Sequence, residues 1–228
     1  MKAILLGAGR GSRLKNSNKL LPKAFIKYHG IPLIESHLTN LRKIEIIDEV
    51  VVISGFKNEL FKYLDATHLI NENWAETNIV GSLYKANDFL TKYECLVIYC
   101  DIYLETTALM NFISTNSPAI LNVSNFREIW KARFENPLTD LERFELDCDG
   151  QLKKIGGRAK CFSEIQGQFG GVFLLNPSTW EVALRLKEDI QQYDSTKLIS
   201  EMIENGINFN VYNYKGIWKE FDIPSDIG

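Results

Sequence analysis

The sequence predicts an α/β fold: a mixed, mainly parallel central sheet flanked by helices, with a small β insert. Two observations carry this. Through the first 124 residues, short and nearly continuous apolar runs such as KAILL, EVVVIS and CLVIYC alternate with amphipathic segments, the pattern of parallel strands covered on both faces. After PAILNVS (118–124) the rhythm tightens, with ERFELD and QLKKI separated by the turn pair Asp149-Gly150, which reads as a hairpin insert. A chain of 228 residues fills one domain with little left over. The expectation is a single domain over 1–228, its two halves being 1–124 and 125–228.

In order, KAILL is the first strand, and a glycine-rich loop follows to about Lys23. PLIESHLTNLRKI (32–44) is a helix, with Leu33, Ile34, Leu38 and Leu41 at helical spacing. EVVVIS is the second strand, KNELFKYL (57–64) a helix and THLIN the third strand. IVGSLYKANDFL (79–90) is helical, with Leu83, Ala86, Phe89 and Leu90 near one face, and CLVIYC is the fourth strand, ending at Asp101. KARFE (131–135) joins ERFELD and QLKKI in the insert. GGVFLL is a strand, Pro177 suits the first turn of a helix, STKLISEMIEN is a second helix, and NFNVYNY and GIWKEFD close as strands. These are expected to complete the same sheet.

A net charge of -3 argues against a nucleic-acid binder, which shows a basic excess. The apolar runs are too short to span a membrane, and AILL meets Gly7 and Arg10 too soon for a signal peptide, so the expected location is cytoplasmic. Cys95, Cys100, Cys148 and Cys161 lack C-x-x-C spacing and read as reduced, mostly buried thiols. His29, His37 and His68 match no zinc spacing.

The opening loop GAGRGSRL admits three readings. A dinucleotide fingerprint needs G-x-G-x-x-G and an acidic residue closing the second strand; here Gly7, Gly9 and Gly11 are spaced otherwise, and that strand ends in Ser54-Gly55-Phe56. A P-loop needs glycine directly before lysine in the motif, which the loop lacks. The third reading fits: small residues let backbone N–H groups approach a triphosphate, while Arg10, Arg13 and Lys23 bring positive charge, with Pro22 restraining the backbone before the lysine.

The succession GAGRGSRL, LPKAF and GIPLIE, then NENWAETNIVGSLYKANDFL, the strand ending at Asp101, GQFGGVFLL and the terminal IWKEFD resembles the sugar-phosphate nucleotidyltransferase superfamily over nearly the whole chain. The N-E-N-x-x-x-x-N run and the W-x-E-x-D ending are most similar to the cytidylyltransferases for phosphocholine, 2-aminoethylphosphonate and related phosphorylated small molecules. The resemblance implies a Rossmann-like nucleotidyltransferase fold, with 1–124 binding nucleotide and 125–228 binding acceptor. It also implies CTP and Mg²⁺, pyrophosphate release, a role in surface polysaccharide or lipid decoration, and no nucleic-acid or membrane partner. A homodimer is left open. A sugar-1-phosphate nucleotidyltransferase using UTP, dTTP or GTP is the alternative.

On that resemblance Lys23 and Arg13 are catalytic, holding the α-phosphate and the β- and γ-phosphates, and Arg10 either helps or faces water. Leu6, Ala8, Gly9 and Gly11, with Asn78, Gly81 and Ser82, are expected around the nucleotide, although Asn78 could equally cap the following helix. Asp101 and Asp222 are the expected metal carboxylates, a helix cap being the alternative for Asp101. Trp130, Gln168, Asp194, Trp218 and Glu220 are expected around the acceptor, with Glu164 and Gln166 nearby; ordinary packing is the alternative for each aromatic, and Trp180 is assigned to the core. The basic residues of the insert point to a zwitterionic or acidic acceptor.

Overall fold

KAILL, EVVVI and CLVIY lie side by side as parallel strands because each can bury both of its faces. The computed structural model describes residues 1–11, 21–186 and 189–227. In chain order the strands are β1 (Lys2–Leu6), β2 (Lys27–Tyr28), β3 (Ile31–Pro32), β4 (Glu49–Ser54), β5 (Thr67–Ile70), β6 (Cys95–Tyr99), β7 (Ile102–Leu104), β8 (Ala119–Val123), β9 (Glu142–Leu146), β10 (Leu152–Arg158), β11 (Phe169–Leu175), β12 (Asn210–Tyr214) and β13 (Trp218–Glu220). The helices are α1 (Leu33–Leu41), α2 (Ile79–Tyr84), α3 (Asn87–Leu90), α4 (Thr106–Phe112), α5 (Phe126–Arg133), α6 (Pro177–Leu184) and α7 (Ser195–Glu204).

Seven strands form the central sheet in the order β12-β8-β11-β6-β1-β4-β5. Every pairing is parallel except those of β11, which runs antiparallel to β6 and β8. The two-residue period of a strand then splits the core in two. Ala3 and Leu5 face one side with Ile34, Leu38, Leu109 and Phe112, and Ile4 and Leu6 face the other with Val80, Leu83, Trp180 and Met202. Trp180 is fully buried, as expected.

Four local expectations are corrected. Residues 57–64 form only a 3₁₀ turn at Asn58–Leu60, because Lys57 takes a left-handed conformation (φ 52°) and Phe61 is buried beneath the end of β1, where a side chain at Gly7 would meet its ring at 3.0 Å. The 79–90 segment is two helices, broken at Ala86 (φ -91°, ψ 19°). KARFE is not strand: Lys131–Arg133 continue α5, whose buried Phe126 and Trp130 stand at i, i+4. The closing strand β13 leaves the central sheet and pairs with β7. Of the cysteines, Cys95 and Cys100 are buried but Cys148 and Cys161 are exposed, and all four are free thiols.

Candidate active site

In an open α/β sheet, loops at the carboxyl ends of the strands converge, and here those following β1, β6 and β13 do. The glycine loop leaves β1 tied to β4, with Gly7 N donating to Ile53 O at 2.8 Å, and Phe56 N donates to Ala8 O at 3.0 Å. Gly11 has φ +67°, and a Cβ there would lie 2.7 Å from Lys23 Cγ. Glycine therefore serves both the left-handed turn and the passage of the lysine stem.

Lys23 opens a 3₁₀ turn after Pro22. Its Nζ donates to Asp101 Oδ2 at 2.7 Å and to Asp222 Oδ1 at 2.5 Å, although the three residues are far apart in sequence. The β7–β13 ladder brings the carboxylates together: Ile102 pairs with Glu220, and Phe221 N donates to Asp101 O at 2.9 Å. Asp101 therefore lies in the turn between β6, which ends at Tyr99, and β7, two residues past the strand it was expected to end, and it does not cap α4, which starts at Thr106 behind Glu105. The side chains of Lys23, Asp101 and Asp222 are 17%, 20% and 13% exposed, so the cluster is enclosed yet reachable. Burial opposes the ammonium charge of Lys23, but Asp101 and Asp222 outweigh it and hold its pKa above the ordinary lysine value.

This cluster stands between two cavities. One, of about 410 Å³, is walled by Leu6, Gly9, Gly11, Asn78 and Asp194, and a smaller pocket of about 200 Å³ adjoins it with Ala8, Trp74, Thr77 and Ser82. Asn78 caps α2, its side chain accepting from Ile79 N, and also lines both cavities. Ser82 accepts from Asn71 Nδ2 at 3.0 Å. Gly81 serves close packing, since a Cβ would meet Thr77 Cβ at 2.5 Å. Arg10 is exposed, its guanidinium 5.7 Å from the Phe56 ring centroid. Arg13 lies outside the described residues.

The second cavity, of about 310 Å³, brings together Trp130, Gln168, Asp194, Trp218 and Glu220. Trp130 and Trp218 stack at 5.5 Å and 14°; Trp130 Nε1 donates to Asp140 Oδ2 at 2.8 Å and Trp218 Nε1 to Gly170 O at 3.0 Å. Gln168 Nε2 donates to the carbonyls of Glu142 (2.7 Å) and Gly167 (2.8 Å), tying the hairpin to β11. Asp194 caps α7, accepting from Lys197 N at 2.7 Å. Glu164 and Gln166 lie away from the cavity, accepting from Lys160 N and Leu146 N. Burial, with Asp101 and Asp222 close by, pushes Glu220 up to about 7 against the pull of Arg133.

Several lining residues were not legible in the sequence. Tyr99, Asp140, Glu142, Arg158 and Thr196 all reach the second cavity, and Tyr99 also reaches the first. Burial, with Asp194 and Asp140 nearby, pushes Glu142 up to about 7, opposed by a hydrogen bond from Thr196. Arg133 and Asp226 form a further element. Arg133 grips Asp226 through Nε and Nη2, both at 3.0 Å, and Glu220 through Nη1 at 3.0 Å, while Asp226 Oδ2 accepts from the N–H groups of Asp222 and Ile223 at 2.9 Å. The mixed charge of the insert over 131–150 is the one sequence hint of Glu142, and no sequence reading singles out Arg158.

Among the described residues no three His, Cys, Asp or Glu side chains gather into a self-sufficient metal site. The donor set nonetheless fits Mg²⁺, which takes one or two carboxylates and fills its shell with phosphate oxygens and water. Asp101 and Asp222 aim carboxylate oxygens from separate segments at one cationic point, held here by the Lys23 ammonium.

The family described as MobA-like NTP transferase domain matches residues 3–130. A CTP:phosphoglutamine cytidylyltransferase of Campylobacter jejuni is 28% identical, the alignment covering 100% of this chain and 98% of the relative. A choline-phosphate cytidylyltransferase of Haemophilus influenzae is 39% identical over 46% of this chain and 45% of its own. Among solved structures, the CTP:phosphocholine cytidylyltransferase of Streptococcus pneumoniae superposes with a TM-score of 0.75 at 21% identity, covering 99% of this chain and 95% of that one. No helix among the described residues is long and apolar enough to cross a membrane.

Proposed function

The chain belongs to the family of MobA-like NTP transferase domains, and from that premise we propose that it is a Mg²⁺-dependent cytidylyltransferase. In this reading it transfers CMP from CTP to a phosphorylated small amine or amino acid, inside one domain whose 1–124 half binds nucleotide and whose 125–228 half binds acceptor. The observation that carries it is the Lys23–Asp101–Asp222 cluster at the border of the two cavities. The full-length similarity to a phosphoglutamine enzyme supports the base and the acceptor class.

The chemistry is an in-line displacement. A phosphate oxygen of the acceptor attacks the α-phosphorus of CTP, the bond from that phosphorus to the β-bridging oxygen breaks, and pyrophosphate leaves. Little covalent work falls to the protein, so positioning and charge dominate. The glycine loop offers backbone N–H groups to the triphosphate, and Lys23 neutralises charge developing on the α-phosphoryl oxygens. The same site would bind Mg²⁺ through Asp101 and Asp222; when bound, the ion supplies Lewis-acid stabilisation of the phosphates. Leu6, Ala8, Asn78 and Ser82 border the space read as the base and ribose site, and Arg13, Arg10, Gly11 and Gly81 complete the nucleotide side of this assignment.

The test is pyrophosphate release with each of four nucleoside triphosphates, with and without Mg²⁺, across phosphorylated amines, phosphorylated amino acids and a sugar 1-phosphate. CTP with an amine or amino-acid phosphate should lead, and chelation should stop the reaction. Asp101→Asn should lower kcat by about 10² or more, the scale for removing one charge-stabilising group. Turnover with UTP, dTTP or GTP and a sugar phosphate alone would overturn the proposal.

A further inference from the structure

We propose that the acceptor carries a carboxylate beside its ammonium group, as a phosphorylated amino acid does, with Arg158 holding the carboxylate and Glu142 the ammonium. This rests on the cytidylyltransferase reading and narrows its acceptor.

The placement begins in the β9–β10 hairpin. Arg158 and Glu142 are direct partners across its antiparallel ladder, and both line the second cavity. Residues opposed in this way hold their Cβ atoms about 5 Å apart on one face, so one small zwitterion can meet both side chains at once. The ladder is irregular between Ile155 and Arg158, where Gly156 (φ +83°) and Gly157 (φ +71°) both adopt left-handed backbone. A Cβ at Gly156 would lie 2.9 Å from Thr196 Oγ1, so the bulge seats the hairpin on the first turn of α7, beside Asp194.

The charges in this cavity are not spent on each other. Arg158 donates through Nη1 to Thr139 O at 2.7 Å, and among the described residues no carboxylate comes within ion-pair distance of its guanidinium. Asp140 is committed to the Trp130 indole, and Asp194 to the α7 cap. That leaves Glu142, which accepts from Thr196 and has Asp140 and Asp194 as like-charged neighbours. A cation entering here would meet Glu142, with Asp140 and Asp194 behind it, while a carboxylate entering would meet Arg158 on the same wall. A trimethylammonium acceptor answers only the acidic half. It also finds the Trp130 ring already covered, by Trp218 in the stack and by the Arg133 guanidinium 5.5 Å from its centroid.

The experiment compares matched acceptor pairs differing only by the carboxylate: phosphoserine with phosphoethanolamine, and phosphoglutamine with its decarboxylated analogue. Phosphocholine is included, with CTP and Mg²⁺ saturating. In at least one pair the carboxylate-bearing member should be favoured about tenfold or more in kcat/KM, mainly through KM, the scale of one charge-assisted hydrogen-bonded contact. In Arg158→Gln that ratio should fall by about the same factor, with Arg158→Lys between the two, since a point charge lacks the bidentate fork. The inference is overturned if neither amino acid is favoured over its decarboxylated partner, if phosphocholine is used as well as the better amino acid, or if Arg158→Gln leaves the ratio unchanged. These results keep CTP-dependent pyrophosphate release intact and spare the cytidylyltransferase reading, whereas no release from CTP with any acceptor sinks both readings.

Discussion

Arg133→Met tests whether the carboxyl-terminal carboxylates are held in place from behind. Arg133 and Asp226 are 12% and 7% exposed and joined by two 3.0 Å bonds, and a third 3.0 Å bond reaches Glu220, which is 28% exposed. Removing one member of a buried ion network costs about 3–5 kcal/mol, because the remaining charge is left desolvated. Glu220 keeps some water, so the lower end, about 3 kcal/mol, applies. For a chain of this size each kcal/mol is worth about 2–4 °C, giving a fall in Tm of about 6–12 °C. Activity should fall further than folding, since Asp226 accepts the N–H groups of Asp222 and Ile223 and thereby sets the loop that presents Asp222 to Lys23. Thermal melts alongside pyrophosphate release at 25 °C separate the two effects. Arg133→Lys should recover less than half of the lost stability, having charge without the fork. A Tm within about 2 °C of the parent, or unaltered turnover, would refute the positioning argument.

Gly11→Ala puts a side chain at φ +67° against Lys23 Cγ. The strain is about 1–2 kcal/mol, yet kcat should drop about tenfold or more because Lys23 must shift; a melting shift without a kinetic change would count against it. His37 is buried with Nε2 donating to Ile102 O at 2.9 Å, and burial pushes its pKa down to about 4 despite Asp101 nearby. The unfolded chain takes up this proton below about pH 6.5 and the native state does not, so stability falls with pH, by about 2 kcal/mol from pH 7.5 to 5. Urea melts of the parent and of His37→Leu should differ in that slope, and equal slopes would exclude His37 as its source. Glu142, faced by Asp140, Asp194, Thr196 and Arg158, should ionise near pH 7, so kcat/KM for an ammonium acceptor should rise to a plateau above that pH. Glu142→Gln should flatten this limb, and an unchanged profile would remove Glu142 from ammonium recognition.

By itself the sequence determined what local pattern encodes. The apolar runs of β1, β4 and β6 imposed a doubly covered parallel sheet, since nothing else hides both faces of KAILL or CLVIY. The glycine and lysine content of the first loop marked an anionic ligand, and Asp101 stood out because it follows a buried strand. Lys23 could be read as a positive charge on that loop, but its catalytic role, and Asp222 at the other end of the chain, could be named only through resemblance. The tertiary structure alone decided what depends on distant segments meeting. It withdrew the helix at 57–64, because burial of Phe61 under β1 outweighed local periodicity. It moved β13 out of the central sheet to pair with β7, which is what sets Asp222 against Lys23. It also placed Glu142 opposite Arg158, a pairing fixed by register and by a two-glycine bulge seated on α7. Charge composition could hint at a mixed pocket, but only the fold decides which charges spend themselves on each other and which are left to face a ligand.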